Sequence, residues 1–241
     1  MQWDVKTDIG LIREENQDQV KAEEFSGRIL AVVCDGMGGE RSGSQASKLA
    51  IRELFDRFKA GFREDLSAGD IRALLLSSVS AANSVIYTTS RMDYRSYGMG
   101  TTCVVAYVEE EWISLANVGD SRAYLVQDGN IRQLTNDHTV VNMLLQQGKI
   151  TLEEAVQHPQ KNMLTRAVGV ERVVKPDYFR IPRPKEFQLL LCSDGLSGYC
   201  TKEEIFSVMQ ETHFEGLVQS LMKLALDKGG KDNISIAVVT S

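Results

Sequence analysis

The sequence predicts an α+β protein built as a β-sandwich with helices on its outer faces. Three observations carry that expectation. Apolar runs of strand length, bounded by turn residues, stand at 28–35 and 186–193, and between 100 and 134 the pattern becomes a succession of short β-type runs. Paired helical patterns flank these strands at 44–92 and 202–228, instead of alternating with single strands as a parallel sheet requires. The closely spaced strands form a meander, so the sheets should be antiparallel.

Taken in order, residues 2–9 alternate polar and apolar and read as a strand. Arg28 to Asp35 is a second strand, followed by a glycine cluster. Ala46, Leu49, Ala50, Leu54 and Phe58 recur at helical spacing between about 44 and 63, and Ile71, Leu74, Leu75, Val79, Ala82 and Ile86 share one face of a helix from Asp70 to about Met92. Strands at 101–108, 112–118, 122–127 and 131–134 follow, with Gln127-Asp128-Gly129-Asn130 as a hairpin turn. The polar stretch 137–170, with short helices at 139–148 and 151–157 and a break at His158-Pro159, reads as a surface flap. A strand at 186–193 ends in an acidic loop, helices span 202–210 and 214–228, and a strand at 234–239 closes the chain. No linker or repeat interrupts the pattern, which predicts one domain over residues 1–241.

Acidic residues outnumber basic ones, 33 to 27, and no basic tract stands out. That argues against a nucleic-acid surface or an anchor on anionic membrane. The first ten residues lack the charged and apolar regions of a signal peptide, and no apolar run approaches the roughly 18 residues of a membrane helix. Cys34, Cys103 and Cys192 lie in or at the ends of apolar strands, and no C-x-x-C spacing occurs. The cysteines therefore read as reduced core thiols, and the protein as cytoplasmic.

The chemistry is concentrated at strand ends. Asp35 follows Leu30-Ala31-Val32-Val33-Cys34 and precedes Gly36; Asp194 follows Leu189-Leu190-Leu191-Cys192-Ser193 and precedes Gly195. Each is a carboxylate where a buried strand emerges, beside a glycine that permits close backbone approach. Asp120 sits between Gly119 and Ser121, and Asp232 follows Gly229-Gly230-Lys231 just before the last strand. Asp beside Gly is also ordinary turn chemistry at any single site. Four such sites at the edge of one core would repel one another unless cations neutralise them, and oxygen ligands select Mg²⁺ or Mn²⁺. Three scattered histidines argue against Zn²⁺ and read as surface or capping residues. Near the N-terminus Arg13, whose planar fork suits a phosphate, lies close to Asp18; the same stretch also reads as a solvated loop. The glycines do not form G-x-G-x-x-G, and Gly195-Leu196-Ser197-Gly198 is not a nucleophile elbow.

In chain order these segments are Thr7-Asp8-Ile9-Gly10 with Arg13, Asn16 and Asp18; Asp35-Gly36-Met37-Gly38-Gly39 with Gly43, Ala46 and Ser47; Gly100-Thr101-Thr102; Asn117-Val118-Gly119-Asp120-Ser121-Arg122; Leu134-Thr135 with Asp137-His138; Leu164-Thr165-Arg166-Ala167-Val168-Gly169; Ser193-Asp194-Gly195-Leu196; and Gly230-Lys231-Asp232-Asn233. Together they resemble the PPM, or type 2C, family of metal-dependent Ser/Thr protein phosphatases, in particular its compact bacterial members.

The resemblance implies an α-β-β-α sandwich, two central antiparallel sheets flanked by helix pairs, with two Mn²⁺ or Mg²⁺ ions at one edge. Asp35 would bridge them, the Gly36 carbonyl would join one, and Asp194 and Asp232 would complete the other. Asp18 resembles the residue that holds metal-bound water, Asp120 with Asp194 the pair that binds a third, weaker ion, and Arg13 the phosphate-binding arginine. The implied reaction is attack of a metal-bridging water or hydroxide on the phosphorus of phosphoSer or phosphoThr in proteins. A monomer opposing a cognate Ser/Thr kinase is the implied setting. The alternative is a catalytically weak member serving as a phosphoprotein-binding module. Gln17 stands where many eukaryotic members carry Glu, Met37 where they carry a histidine, and Glu40 where bacterial relatives often carry one. No side-chain acid is therefore evident in the glycine loop.

Overall fold

The computed structural model describes the backbone of residues 1–241 and the side chains of all but residues 39–41, so the sequence reading at Glu40 lies outside the described side chains. Strands β1 (Gln2–Asp8), β2 (Asp18–Phe25) and β3 (Arg28–Met37) lead into helices α1 (Gly39–Gly61) and α2 (Ala68–Met92). Then come β4 (Gly100–Thr101), β5 (Cys103–Val108), β6 (Trp112–Val118), β7 (Arg122–Gln127) and β8 (Asn130–Gln133). Helices α3 (Val140–Gln146) and α4 (Leu152–Gln157) precede β9 (Asp177–Pro182) and β10 (Gln188–Cys192). The chain ends with α5 (Asp194–Ser197), α6 (Lys202–Glu211), α7 (Phe214–Asp227) and β11 (Ile234–Thr240).

Two antiparallel sheets stack face to face, one ordered β1-β11-β10-β7-β8 and the other β2-β3-β5-β6-β9 with β4 attached to β3. The expected α+β sandwich is thus the observed one. Its inner strands are buried on both faces, which is why they read as unbroken apolar runs. On β3 the even residues Leu30, Val32 and Cys34 pack under α1 and α2, while Ile29, Ala31 and Val33 face the other sheet. On β10, Leu190 and Cys192 pack under α6 and α7, while Leu189 and Leu191 join the core between the sheets.

The helices carry their own start signals. Ser67 with Asp70 and Thr201 with Glu204 form reciprocal capping boxes on α2 and α6, satisfying backbone N–H groups that would otherwise lack partners. Helix α1 begins at Gly39, earlier than the apolar periodicity from 44 indicated, because its first turn has no apolar residue for periodicity to mark. Strands β2 and β9 have no clear apolar run; each lies at the edge of its sheet and is only partly buried. The acidic loop expected after β10 is a single helical turn, α5, that starts at Asp194.

The polar excursion 137–170 is closed at its base by backbone bonds. His138 N–H donates to Gly119 O, Thr165 N–H to His138 O at 2.8 Å, and Val140 N–H to Met163 O at 2.9 Å. His138, read from sequence as a surface or capping residue, is instead buried: Gly119 N–H donates to its Nδ1, and its Nε2 lies 3.1 Å from Asp177 Oδ2. Burial holds its pKa below the ordinary value.

Leu189 is fully buried in the core between the sheets. Leu189→Ala should cost about 2–5 kcal/mol by loss of burial and creation of a cavity. Urea denaturation at fixed divalent-ion concentration reads the shift in midpoint.

Candidate active site

The sandwich is open at one end, and the alternation of side chains along its strands decides what lines the opening. Val33 faces the inter-sheet core, so Asp35, two residues on, faces the same side. Ala22 does likewise on β2, which puts Asp18 there too, and Asp18 and Asp35 are directly opposed across the β2–β3 pair. From the other sheet, Leu191 and Ala237 carry the same parity to Ser193 and Ser235. The period-2 rule thus gathers polar groups from both sheets at one rim.

Asp35, Asp120, Asp194, Asp232 and Arg13 line one cavity of about 460 Å³, together with Gln17, Gly36, Met37, Thr102, Asn162, Leu164 and Asn233. All the metal and phosphate candidates from the sequence therefore meet except Asp18, which stands fully buried behind them. Asp18 accepts a 2.6 Å hydrogen bond from Ser193 Oγ at one carboxylate oxygen, and its backbone N–H donates to Asn16 Oδ1. Among the described residues no three carboxylates close into a tight cluster, although Asp35 and Asp194 approach within hydrogen-bonding reach.

Several groups hold this arrangement. The Asp35 N–H donates to Thr102 Oγ1 at 2.9 Å, and Asp35 O accepts from both Thr101 Oγ1 and Thr102 N–H. Gly36 packs so tightly that a Cβ there would stand 2.2 Å from Gly43 O and 2.6 Å from Gln17 O. Asn233 ties down the loop that bears Arg13: its Nδ2 donates to Ile9 O and Glu15 O, and its Oδ1 accepts from Gln17 N–H. Arg13 itself donates to Asp232 Oδ2 at 2.7 Å while its side chain stays 54% exposed, so part of the guanidinium faces the cavity. Asp232 Oδ1 accepts from Asn233 N–H.

The electrostatics follow from burial and like charge. Burial, then Asp194, pushes Asp18 up to about 7 against the opposing effect of its serine hydrogen bonds. Asp120 is likewise raised to about 7, by burial and then by Asp194. Burial and the neighbouring carboxylates raise Asp35, and burial with Asp232 raises Asp194. Asp18 Oδ1 and Asp194 Oδ1 are buried without a hydrogen-bond partner. Orphaned anionic oxygens beside further carboxylates are a donor set for hard divalent cations, so the residues present fit the ions that the sequence implied.

Sequence reasoning gave no role to Thr102, Ser193 or Asn233, although all three stood in the segments that it singled out. It missed Asn162 altogether, because the flap alone brings that residue to the rim. Met37 faces the cavity, so it is a wall of the site and not a filler turned away from it.

A two-sheet sandwich with such a carboxylate rim defines the class, and the comparisons with known proteins agree: residues 13–234 match the profile of protein phosphatase 2C, and the chain belongs to that family. The serine/threonine phosphatase stp of Listeria welshimeri is 39% identical over 99% of this chain and 95% of its own length. The crystal structure of serine/threonine phosphatase Stp1 from Staphylococcus aureus superposes with a TM-score of 0.92 at 37% identity, covering 99% of this chain and 94% of that one. The catalytic domain of the serine/threonine protein phosphatase PstP, solved with two manganese ions, superposes with a TM-score of 0.85 at 34% identity over 98% and 96% of the two chains.

A carboxyl whose pKa is higher folded than unfolded binds its proton more tightly in the folded chain. Its contribution to stability is therefore greatest below its unfolded pKa and is lost as pH rises through the folded value. For Asp18 and Asp120 that window runs from 3.8 to about 7. In chelator, Asp18→Asn should flatten the fall in melting temperature between pH 5 and pH 8, and added Mn²⁺ should raise the wild-type melting temperature most at pH 8. Thermal melts across pH, with and without Mn²⁺, check both.

Proposed function

We propose that this chain is a metal-dependent protein serine/threonine phosphatase that hydrolyses phosphoSer and phosphoThr, and that residues 1–241 act as one catalytic domain with a flap at about 137–170. The observation that carries this reading is the convergence of Asp35, Asp120, Asp194, Asp232 and Arg13 on one cavity at the open end of the sandwich. Asp35, the Gly36 carbonyl, Asp194 and Asp232 would hold two Mn²⁺ or Mg²⁺ ions, and Asp120 with Asp194 a third, weaker one. When bound, such ions acidify water near neutral pH and neutralise charge developing on the phosphoryl group.

The chain's own residues supply the rest. Asp18, anchored by Ser193 and buried behind the cavity, keeps its Oδ1 unpartnered and would orient a water molecule held by the ions. Arg13, steadied on Asp232, offers its remaining N–H groups to phosphate oxygens and cancels part of their charge. Thr102 and Asn233 keep Asp35 and the Arg13 loop in register so that neither must be ordered when substrate arrives. Phosphoproteins are the substrates. We infer that the protein works as a cytoplasmic monomer against a Ser/Thr kinase; its four cysteines, all unpaired and buried, agree with a reducing compartment. No helix among the described residues is long and apolar enough to cross a membrane.

Hydrolysis of a phosphothreonine peptide should require Mn²⁺ or Mg²⁺, and Asp35→Asn should reduce kcat by about a thousandfold or more while circular dichroism reports an intact fold. Full activity after exhaustive chelation would overturn the metal-dependent reading. Arg13→Ala should act mainly on KM, because a guanidinium on the phosphate binds ground and transition states alike. Steady-state kinetics showing lowered kcat at unchanged KM would assign Arg13 to the transition state alone.

A further inference from the structure

The catalytic cavity does not end at Met37. Met37 and Leu164 are walls both of that cavity and of a second one of about 310 Å³, whose other apolar walls are Ala167, Val170, Val173 and Val174. Glu171 and Lys175 bring charge to its lining. The second cavity is lined by Met37 at the end of β3 and by the segment of turns and bends that returns from the flap, and it leaves Val170 and Val173 40% and 77% exposed. Apolar side chains grouped in a concavity beside a polar site are the usual make-up of a ligand-binding surface.

Its wall is built rather than loose. Thr101 and Val168 exchange two backbone hydrogen bonds, Thr101 N–H to Val168 O at 3.0 Å and Val168 N–H to Thr101 O at 2.8 Å. Asn83, from α2, accepts from Gly169 N–H at 2.7 Å and donates to Glu171 O and Arg172 O. Gly169 has φ +92, and a Cβ there would stand 2.1 Å from Ile86 Cγ2, so the segment is pressed against α2 at this point. Arg166 closes the other end by donating to Lys175 O and Asp177 Oδ1. The cavity is thus present before any substrate arrives.

We propose that this second cavity is a substrate subsite, which takes an apolar side chain flanking the phosphorylated residue of the protein substrate. The inference rests on the phosphatase reading. Its occupant follows from continuity and reach. With the phosphate among the carboxylates and Arg13, an extended substrate advances about 3.3–3.6 Å per residue, so a residue one or two positions away crosses Met37 into the neighbouring cavity. A charged side chain there would lose hydration against Leu164, Ala167 and the three valines, where Arg166 is already paired with Asp177 and Glu171 and Lys175 oppose each other in charge, whereas Leu, Val or Met would bury apolar surface. Met37, unbranched and adaptable, forms the shared wall between phosphate recognition and side-chain recognition.

The test uses phosphothreonine peptides in Mn²⁺ that are identical except for flanks of Gly, Leu or Asp, varied on each side in turn. Val173→Asp alters a mostly exposed residue, and Val170→Thr keeps the shape while adding a hydroxyl. In the wild type a Leu flank on one side should raise kcat/KM on the order of tenfold over Gly, and Asp should give no gain. Val173→Asp should bring the Leu-flanked peptide down to the Gly-flanked value, Val170→Thr should lower it part of the way, and neither should change the Gly-flanked rate. Equal rates for all flanks, or a Leu preference that survives both substitutions, would overturn the subsite. Loss of the Gly-flanked rate in parallel would also overturn it, by making the cavity part of the catalytic centre. Failure of the wild type to hydrolyse any peptide, Gly-flanked included, would instead strike the phosphatase reading itself.

Discussion

Like-charged carboxylates held together at the open end of a dry core are the constraint on which the rest of the structure depends. Asp18 and Asp35 come from neighbouring strands of one sheet, directly opposite each other, where like charges destabilise a strand pair. Asp194 and Asp232 come from the ends of β10 and β11 in the other sheet, and Asp120 from the short link by which the chain passes from β6 to β7 between the sheets. The separation of these groups is set by the apolar core between the sheets, around Val33, Val104, Leu189 and Leu191. Packing far from the rim therefore fixes how close the charges stand.

The polar groups around the rim show how such a cluster is tolerated. Ser193 Oγ links Asp18 to the β11 backbone by donating to the carboxylate and accepting from Ser235 N–H at 2.9 Å. Thr102 binds the backbone of Asp35 and touches Ser121 Oγ, and so connects the loop of Asp120 to the strand of Asp35. A buried network of this kind rigidifies only when its members are satisfied. The oxygens that remain unsatisfied, Asp18 Oδ1 and Asp194 Oδ1, stand where positive charge would help most.

Two segments from different parts of the chain border that centre. Arg13 reaches it on a loop that spans from β1 in one sheet to β2 in the other, and Asn233 and the Leu11 N–H to Gly230 O bond keep the loop in place. On the opposite side the excursion 137–170 contributes Asn162 and Leu164, and its return segment is clamped by Asn83 and Thr101. One cavity is lined by carboxylates and Arg13 and the other mainly by apolar side chains, with Met37 and Leu164 common to both.

Much of this was legible in the chain itself. Doubly buried strands appear as unbroken apolar runs, helices appear as apolar faces at helical spacing, and Asp35, Asp120, Asp194 and Asp232 are visible as carboxylates at strand ends near glycine. The edge strands β2 and β9 were hidden, because a half-solvated strand carries mixed residues that periodicity does not separate from loop. His138 looked like a surface residue, and only its enclosure by Gly119 and Asp177 makes it a buried one. The sequence by itself determined which residue types stand at which strand ends, since local pattern and parity are properties of neighbouring residues. Tertiary structure alone decided that those four carboxylates share one cavity with Arg13, that Asp18 lies behind it and that Asn162 and Met37 form its walls. Those facts depend on two sheets and a flap meeting, and contacts between residues far apart in the chain leave no trace in local periodicity.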